Sequence, residues 1–384
     1  MINRPKFLKI CTYITLILNF AFCSLICSAD SDVGCPENSA KSAIVMTADT
    51  CQVLYEKNSH EKLPMASTTK IMTALLTVEE AEKCNREITI TNEMVPVEGS
   101  SMGLQVGDVL TLESLARGMM AVSGNDAAHS AAVAISGSTE CFAEMMNEKA
   151  RSFGMCDTHF VTPSGLDVGD HHSTAYDMAL LASHAMDNSM FYDIVSKSKI
   201  EVPFIEPKGT RILKNSNRLL REYDGAVGVK TGYTKLAKRC LVSSAERGGI
   251  RLVAVTLSDP NDWEDHKRLL DYGFSKSVLK TFGNSRKWCV EVVGGEKEEL
   301  AVYPKESVQL AISKDCESRI KETVELPRFV YAPIKRDQVV GQLVYTCDGR
   351  TLAKVNLTAC EVCDGQYIKK GFFQRIKDFF GSVF

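Results

Sequence analysis

Two runs of alternating apolar residues near one end of the chain, and three more after a long helical stretch, constrain the fold more than any other feature. Ser42–Ala48 and Cys51–Glu56 alternate around Asp49-Thr50, a hairpin signal. Ala226–Tyr233, Arg239–Ala245 and Arg251–Ser258 alternate likewise, the last two joined at Arg247-Gly248-Gly249. Between these sets the apolar spacing is helical. A helix is expected from about Ala66 to Lys83, with Ile71, Leu75 and Val78 on one face and Pro64 just ahead of its start. Leu112–Val122, Ala127–Ile135 and Ala175–Met186 follow, and Trp263–Tyr272 closes the domain. Strands, then helices, then strands predict one antiparallel sheet assembled from both ends of the domain. Helices cover its faces, an α+β layered fold over residues 38–282.

From about Trp288 the texture changes. Cys289–Val293, Glu299–Val302, Val308–Ile312, Glu322–Leu326, Val339–Val344 and Ala353–Asn356 are short alternating runs. They predict a small all-β domain over residues 286–362, with its boundary near Phe282–Arg286. Residues 365–384 differ again. Ile368, Phe372, Phe373, Ile376, Phe379, Phe380 and Val383 fall within about 140° of a helical wheel. Lys370, Arg375 and Lys377 lie off that face, and Lys369 has to snorkel. An amphipathic helix lying in the plane of a membrane is expected; a helix docked on the protein's own core is the competing reading.

The first residues read as a targeting segment. Arg4, Lys6 and Lys9 precede an apolar stretch from about Ile10 to Ile26, and Cys27-Ser28-Ala29 offers small residues for cleavage after Ala29. A retained single-pass anchor is the alternative. A lipidated Cys27 is disfavoured by the bulk of Ile26. Each reading exports the bulk of the chain. Of 14 cysteines, Cys11, Cys23 and Cys27 lie in this segment, and the eleven left, at scattered spacings, do not form a disulfide framework. Cys360-Glu-Val-Cys363 has too few companions, and no nearby histidine, for a zinc site. A net charge of −3 gives no basic field for nucleic acid.

Ser67-Thr68-Thr69-Lys70 stands at the expected helix start. A serine and a lysine three positions apart share a helical face, so hydroxyl and amine come within reach. First-turn amides are unpaired, so the Ser67 N–H is available to an oxyanion. The same spacing recurs at Ser196…Lys199, Ser277…Lys280 and Ser318…Lys321, and by itself means little. Context separates Ser67. Ser123-Gly124-Asn125 falls between two helices, and Lys230-Thr231-Gly232 falls on a strand, where glycine permits a close backbone approach.

Together these triplets are the constellation of penicillin-binding proteins and serine β-lactamases. The chain resembles more closely the low-molecular-mass D-alanyl-D-alanine carboxypeptidases. The resemblance runs from about Lys41 to Phe274 and rests on Pro64–Lys70, Ser123–Asp126, Gly165-Leu166-Asp167, His172-Ser173-Thr174-Ala175 and Val229–Thr234. The β-rich domain and terminal amphipathic helix extend it more loosely.

The resemblance implies a penicillin-sensitive serine peptidase that removes the terminal D-alanine from peptidoglycan stem peptides without a cofactor. Lys70 takes the proton of Ser67, which attacks the carbonyl between the two D-alanines. Its amine must be depressed by burial and a nearby cation, for which Lys230 is the candidate. Lys230, Thr231, Gly232 and Thr234 are expected around the substrate carboxylate, and Asn125 at the acyl-side amide. Ser123 is expected to relay the proton to the leaving amine, and the backbone N–H of Ser67 and Tyr233 to hold the oxyanion. His171 and His172 read as loop-stabilising residues, and Asp167 and Asp177 as structural. A class A β-lactamase would need a glutamate before the Lys-Thr-Gly strand, and none stands between Arg151 and Ile200. Endopeptidase or transpeptidase activity on the same acyl-enzyme stays open, as does a non-catalytic binding protein, which intact Ser67, Lys70, Ser123 and Lys230 argue against.

Overall fold

The structure, a computed structural model, describes residues 34–95, 97–283 and 286–366. The expected leader and all but the first two residues of the expected terminal helix lie outside them.

In chain order, β1 (Ser42–Thr47) and β2 (Val53–Lys57) lead into a 3-10 turn at Ala66–Thr69 and helix α1 (Lys70–Lys83). A short ladder of β3 (Glu87–Thr89) and β4 (Val109–Thr111) precedes α2 (Leu112–Val122), α3 (Asn125–Ser136), α4 (Thr139–Ser152), α5 (Ala175–Asp187) and α6 (Ser189–Val195). A hairpin, β5 (Lys199–Phe204) and β6 (Gly209–Lys214), and the single turn α7 (Leu219–Glu222) return the chain to β7 (Ala226–Thr234), β8 (Lys238–Arg247) and β9 (Ile250–Leu257). Helix α8 (Asp262–Lys276) completes this part.

The sheet runs β2-β1-β9-β8-β7 and is antiparallel throughout. β1 therefore pairs with β9 across some 200 intervening residues, Ile44 opposite Val255. This is the assembly from both ends that the pattern predicts. β1 is buried on both faces, and its period of two divides its side chains between two cores. Ile44 and Met46 join the helical core of α1, α2, α3 and α5, while Ala43 and Val45 meet Leu269 and Leu270 of α8. The β8–β9 turn is made by Gly248 (φ +56°) and Gly249 (φ +81°), the left-handed pair that a tight hairpin requires.

Helix boundaries follow local capping. The Thr111 side chain accepts from Ser114 N, Ser138 from Cys141 N and Thr174 from Asp177 N. The first turn of the expected Ala66–Lys83 helix is tighter than α-helical, which turns Ser67 out of the axis of α1.

The remainder is all β apart from one turn, with β10 (Ser277–Phe282), β11 (Trp288–Val293), β12 (Glu299–Pro304), β13 (Val308–Ser313), α9 (Lys314–Glu317), β14 (Lys321–Glu325), β15 (Phe329–Tyr331), β16 (Val339–Cys347) and β17 (Arg350–Ala359). Six strands form a sheet in the order β14-β16-β17-β12-β11-β15 over a core that includes Leu300, Val302, Leu343 and Leu357. β10 pairs with β13, so the strand leaving α8 is already laddered to this second part. Cys316 and Cys347 are joined as a disulfide, and the other cysteines of the described residues are free. No helix of the described residues is long and apolar enough to cross a membrane.

Candidate active site

The 3-10 turn carrying Ser67 is wedged between β7 and a loop, and two glycines make room for it. A Cβ at Gly232 would come within 3.1 Å of Ala66 Cβ, Met65 O and Ser67 N. A Cβ at Gly165 would stand 2.0 Å from Ala66 O. The glycine of the Lys-Thr-Gly triplet thus admits the serine turn itself, where a ligand's backbone was the expected neighbour. Ala66 is held at φ +48°, a conformation that side-chain-bearing residues rarely adopt.

Lys70 begins α1 and is fully buried. Its Nζ lies 3.0 Å from Ser67 Oγ, 2.6 Å from Asn125 Oδ1 and 2.6 Å from the Ser164 carbonyl. Burial, and then repulsion from Lys230, holds its amine well below the ordinary lysine range, while Asp126 opposes the shift. Lys230 is also buried, on β7, and its Nζ donates to Thr231 O at 2.8 Å. Burial lowers it to about 7. The sequence predicts a depressed Lys70 beside a cationic Lys230; burial lowers Lys230 as well.

The Ser-Gly-Asn triplet straddles the α2–α3 junction. Ser123 ends α2 in the left-handed region at φ +61° and lines the cavity in front of Ser67. Asn125, the first residue of α3, points inward. Its Oδ1 accepts from Lys70, and its Nδ2 donates to Glu98 O at 2.5 Å. Asp126 anchors the facing loop by accepting from Ser101 Oγ and from the amides of Met102, Gly103, Leu104 and Ala127.

The cavity, about 560 Å³, is walled by Ser67, Ser100, Val122, Ser123, Ser216, Thr231, Gly232, Tyr233, Arg239, Asp262 and Trp263. Thr231 Oγ1 lies 3.2 Å from Ser216 Oγ, and Tyr233 is 64% exposed at the rim. Thr234 lies off this wall and spends its Oγ1 on Ala237 N at 2.9 Å. Arg239 holds Asp262 through Nε and Nη2, and its guanidinium stands over Trp263. Ser100, Ser216, Arg239 and Trp263 carry no signal at motif level. They reach the cavity from two loops, the neighbouring strand β8 and the start of α8, which only the tertiary fold places there.

His171 is a strut, as its loop context predicts. Its Nδ1 accepts from Val161 N at 2.9 Å and its Nε2 meets Thr69 Oγ1 at 2.8 Å, while that hydroxyl donates to Ala66 O. Burial brings the ring down to about 4, so it is neutral and braces the serine turn from behind. His172 bonds Asp170, and Asp177 accepts from Asp157 N and Thr158 Oγ1. A second cavity of about 570 Å³, lined by Ser114, Arg117 and Lys199 among others, lies elsewhere, and its Ser114 Oγ is spent on Pro203 O.

Comparison with known proteins agrees with this geometry. The D-alanyl-D-alanine carboxypeptidase family model matches residues 29–261, and the penicillin-binding protein 5 C-terminal domain model matches 284–362. The chain is 33% identical to D-alanyl-D-alanine carboxypeptidase DacF of Bacillus subtilis (strain 168), over 89% of this chain and 90% of that one. Penicillin-binding protein 5 from Haemophilus influenzae superposes with a TM-score of 0.67 at 28% identity, covering 86% of this chain and 98% of that one. The Streptomyces K15 DD-transpeptidase gives 0.59 at 33%, covering 62% and 98%. The serine–lysine pair thus sits in a fold and a sequence that share one ancestry, and the chain belongs to the D-alanyl-D-alanine carboxypeptidase family of penicillin-binding serine peptidases.

Proposed function

We propose that Ser67 is the nucleophile and Lys70 the general base of a DD-carboxypeptidase acting on stem peptides that end in D-alanyl-D-alanine. The observation that carries this is the set of three partners around Lys70 Nζ. A neutral amine has two hydrogens and one lone pair. Asn125 Oδ1 and Ser164 O accept the hydrogens, which aims the lone pair at the Ser67 hydroxyl 3.0 Å away. A depressed lysine is neutral enough to use it.

Ser67 Oγ attacks the scissile carbonyl carbon and its proton passes to Lys70. The carbonyl oxygen becomes an oxyanion facing the amides of Ser67 and Tyr233, and the closeness of β7 to the serine turn, where a Cβ at Gly232 would stand 3.1 Å from Ser67 N, supports that pairing. The C–N bond breaks as Ser123 delivers the proton to the departing D-alanine. Water then cleaves the ester and restores Ser67. Lys230 and Thr231 take the substrate's free carboxylate, with Thr234 a more distant contributor. Asn125 Nδ2 gives one hydrogen to Glu98 O and keeps the other for a substrate carbonyl, and the Oδ1 bond to Lys70 supports a positioning role alongside the expected one.

The chain divides into a leader at 1–29, a catalytic domain at 38–282, a β domain at 286–362 and an amphipathic helix at 365–384. Export to the outer face of the cytoplasmic membrane follows from the first and last of these, and peptidoglycan, β-lactams and the membrane surface are its partners. Labelling with fluorescent penicillin, with Ser67→Ala as control, tests the nucleophile. Incubation with a pentapeptide, read by mass spectrometry, tests the reaction. Loss of one D-alanine supports hydrolysis. A cross-linked dimer supports the second reading, transpeptidation, to which the likeness to the K15 enzyme lends weight.

A further inference from the structure

The C-terminal sheet has two open edges, and they are built differently. β14, at one edge, reads Lys-Glu-Thr-Val-Glu, and its charges guard it against strand addition. β15, at the other, reads Phe-Val-Tyr and is three residues long, with Pro327 before it and Pro333 after. Shortness and proline blunt pairing through the backbone. The side chains of this edge are nevertheless left uncovered. Phe329 is 41% exposed and Tyr331 69%, their rings meeting edge to face at 5.4 Å. Val293, the register partner of Tyr331 on β11, is 44% exposed.

Arg328, Lys335 and Arg336 flank the pair and are exposed, and no carboxylate stands between Pro327 and Arg336. Acidic groups lie beside the edge strand. Glu291 is the register partner of Phe329, Glu296 and Glu298 occupy the next turn, and Glu361 is held by Lys297 at 2.6 Å. The chain also leaves the described residues at this place. Ile334 and Cys363 exchange backbone bonds of 2.9 and 3.0 Å, and Gln366 N donates to Gly294 O at 2.8 Å. The next residues are the phenylalanine- and lysine-rich segment 367–384. Exposed aromatic rings bracketed by cations, on a strand that resists pairing, are the composition of an interfacial belt. Rings settle at the headgroup–acyl boundary and cations meet phosphate.

We propose that the β15 edge, Arg328–Arg336 with Phe329 and Tyr331 foremost, is a lipid-contacting surface that seats on an anionic bilayer beside the chain's C-terminal segment. It is separate from the acyl-enzyme chemistry. The experiment uses the exported chain with its C-terminus intact and vesicles of phosphatidylglycerol and phosphatidylcholine. Vesicles are expected to slow amide hydrogen exchange across 328–336 as well as across 367–384. Phe329→Ser with Tyr331→Ser is expected to weaken partitioning about 10-fold. Arg328→Glu with Arg336→Glu is expected to weaken it on anionic vesicles more than on phosphatidylcholine alone. Both pairs should label with fluorescent penicillin in solution at the parental rate, so a failed lipid contact is distinguishable from a failed acyl-enzyme. Vesicle-dependent protection confined to 367–384, with parental partitioning of both pairs, overturns the proposal. Protection of 328–336 that rises with protein concentration in the absence of lipid overturns it in favour of a second copy.

Discussion

Ala66, the residue before Ser67, and Ser123, on the cavity wall, both stand at positive φ, and neither is glycine. Such a conformation costs about 1–2 kcal/mol per residue, retained here where the serine turn must present its hydroxyl. Ala66→Gly should relieve that strain at the expense of unfolded-chain entropy. Its melting temperature should stay near the parent's while acylation by fluorescent penicillin slows. Titration makes a second prediction. Acylation should rise with pH as Lys70 loses its proton, because only the free amine accepts one from Ser67. For substrates with a free carboxylate, kcat/KM should fall again above about 7, where Lys230 loses its charge. A substrate amidated at that end should lack the alkaline fall. Lys230→Gln removes the cation that repels protonated Lys70, so its acid limb should move to higher pH. Measured pH profiles of the two substrates and the variant check all four statements.

Two packed contacts hold the elements around the serine turn, and each has a variant that reads it out. Gly165→Ala would place a methyl 2.0 Å from Ala66 O at φ +83°, so overpacking and backbone strain add. About 1–3 kcal/mol of stability should go, together with most of the acylation rate, as followed by thermal melting and labelling. Asp126→Ala frees the loop donors at Ser101, Met102, Gly103 and Leu104. Each buried donor left without its acceptor should cost about 1–3 kcal/mol, measurable by urea denaturation. Neither contact is readable from spacing alone. The three motifs are legible because each pairs a residue type with an element type: serine at a helix start, Ser-Gly-Asn at a helix junction, Lys-Thr-Gly on a strand. The loop that Asp126 gathers has no periodicity, and Arg239 and Trp263 reach the cavity through tertiary packing. The β5–β6 hairpin escapes the pattern too, since Pro203 interrupts β5 and β6 is mostly polar.

At the scale of the whole molecule, the β1–β2 turn holds the strand that follows from the second part. Thr50 Oγ1 donates to Ala311 O at 2.9 Å, Asp49 accepts from Ala311 N at 3.1 Å, and Gln52 accepts from Ser313 N at 2.7 Å. Each bond is worth about 1 kcal/mol. Asp49→Ala combined with Gln52→Ala should therefore separate the thermal unfolding of the two parts in calorimetry while penicillin labelling stays at the parental level. The architecture of both parts is legible in the sequence, because alternation marks nearly every strand of each sheet. This seam is not, because turn residues that bond a distant backbone look the same as turn residues that bond only one another.

The pairing of β1 with β9 also dictates when the enzyme can come into being. A chain emerging N-terminus first presents Ser67 early, but Lys230 and the closing strand arrive more than 160 residues later. Until that last ladder zips, the serine has no depressed amine beside it and no oxyanion amides facing it. On the proposed mechanism, incomplete chains should therefore escape labelling by penicillin. Pulse labelling with a fluorescent penicillin becomes a stopwatch for the final stage of folding.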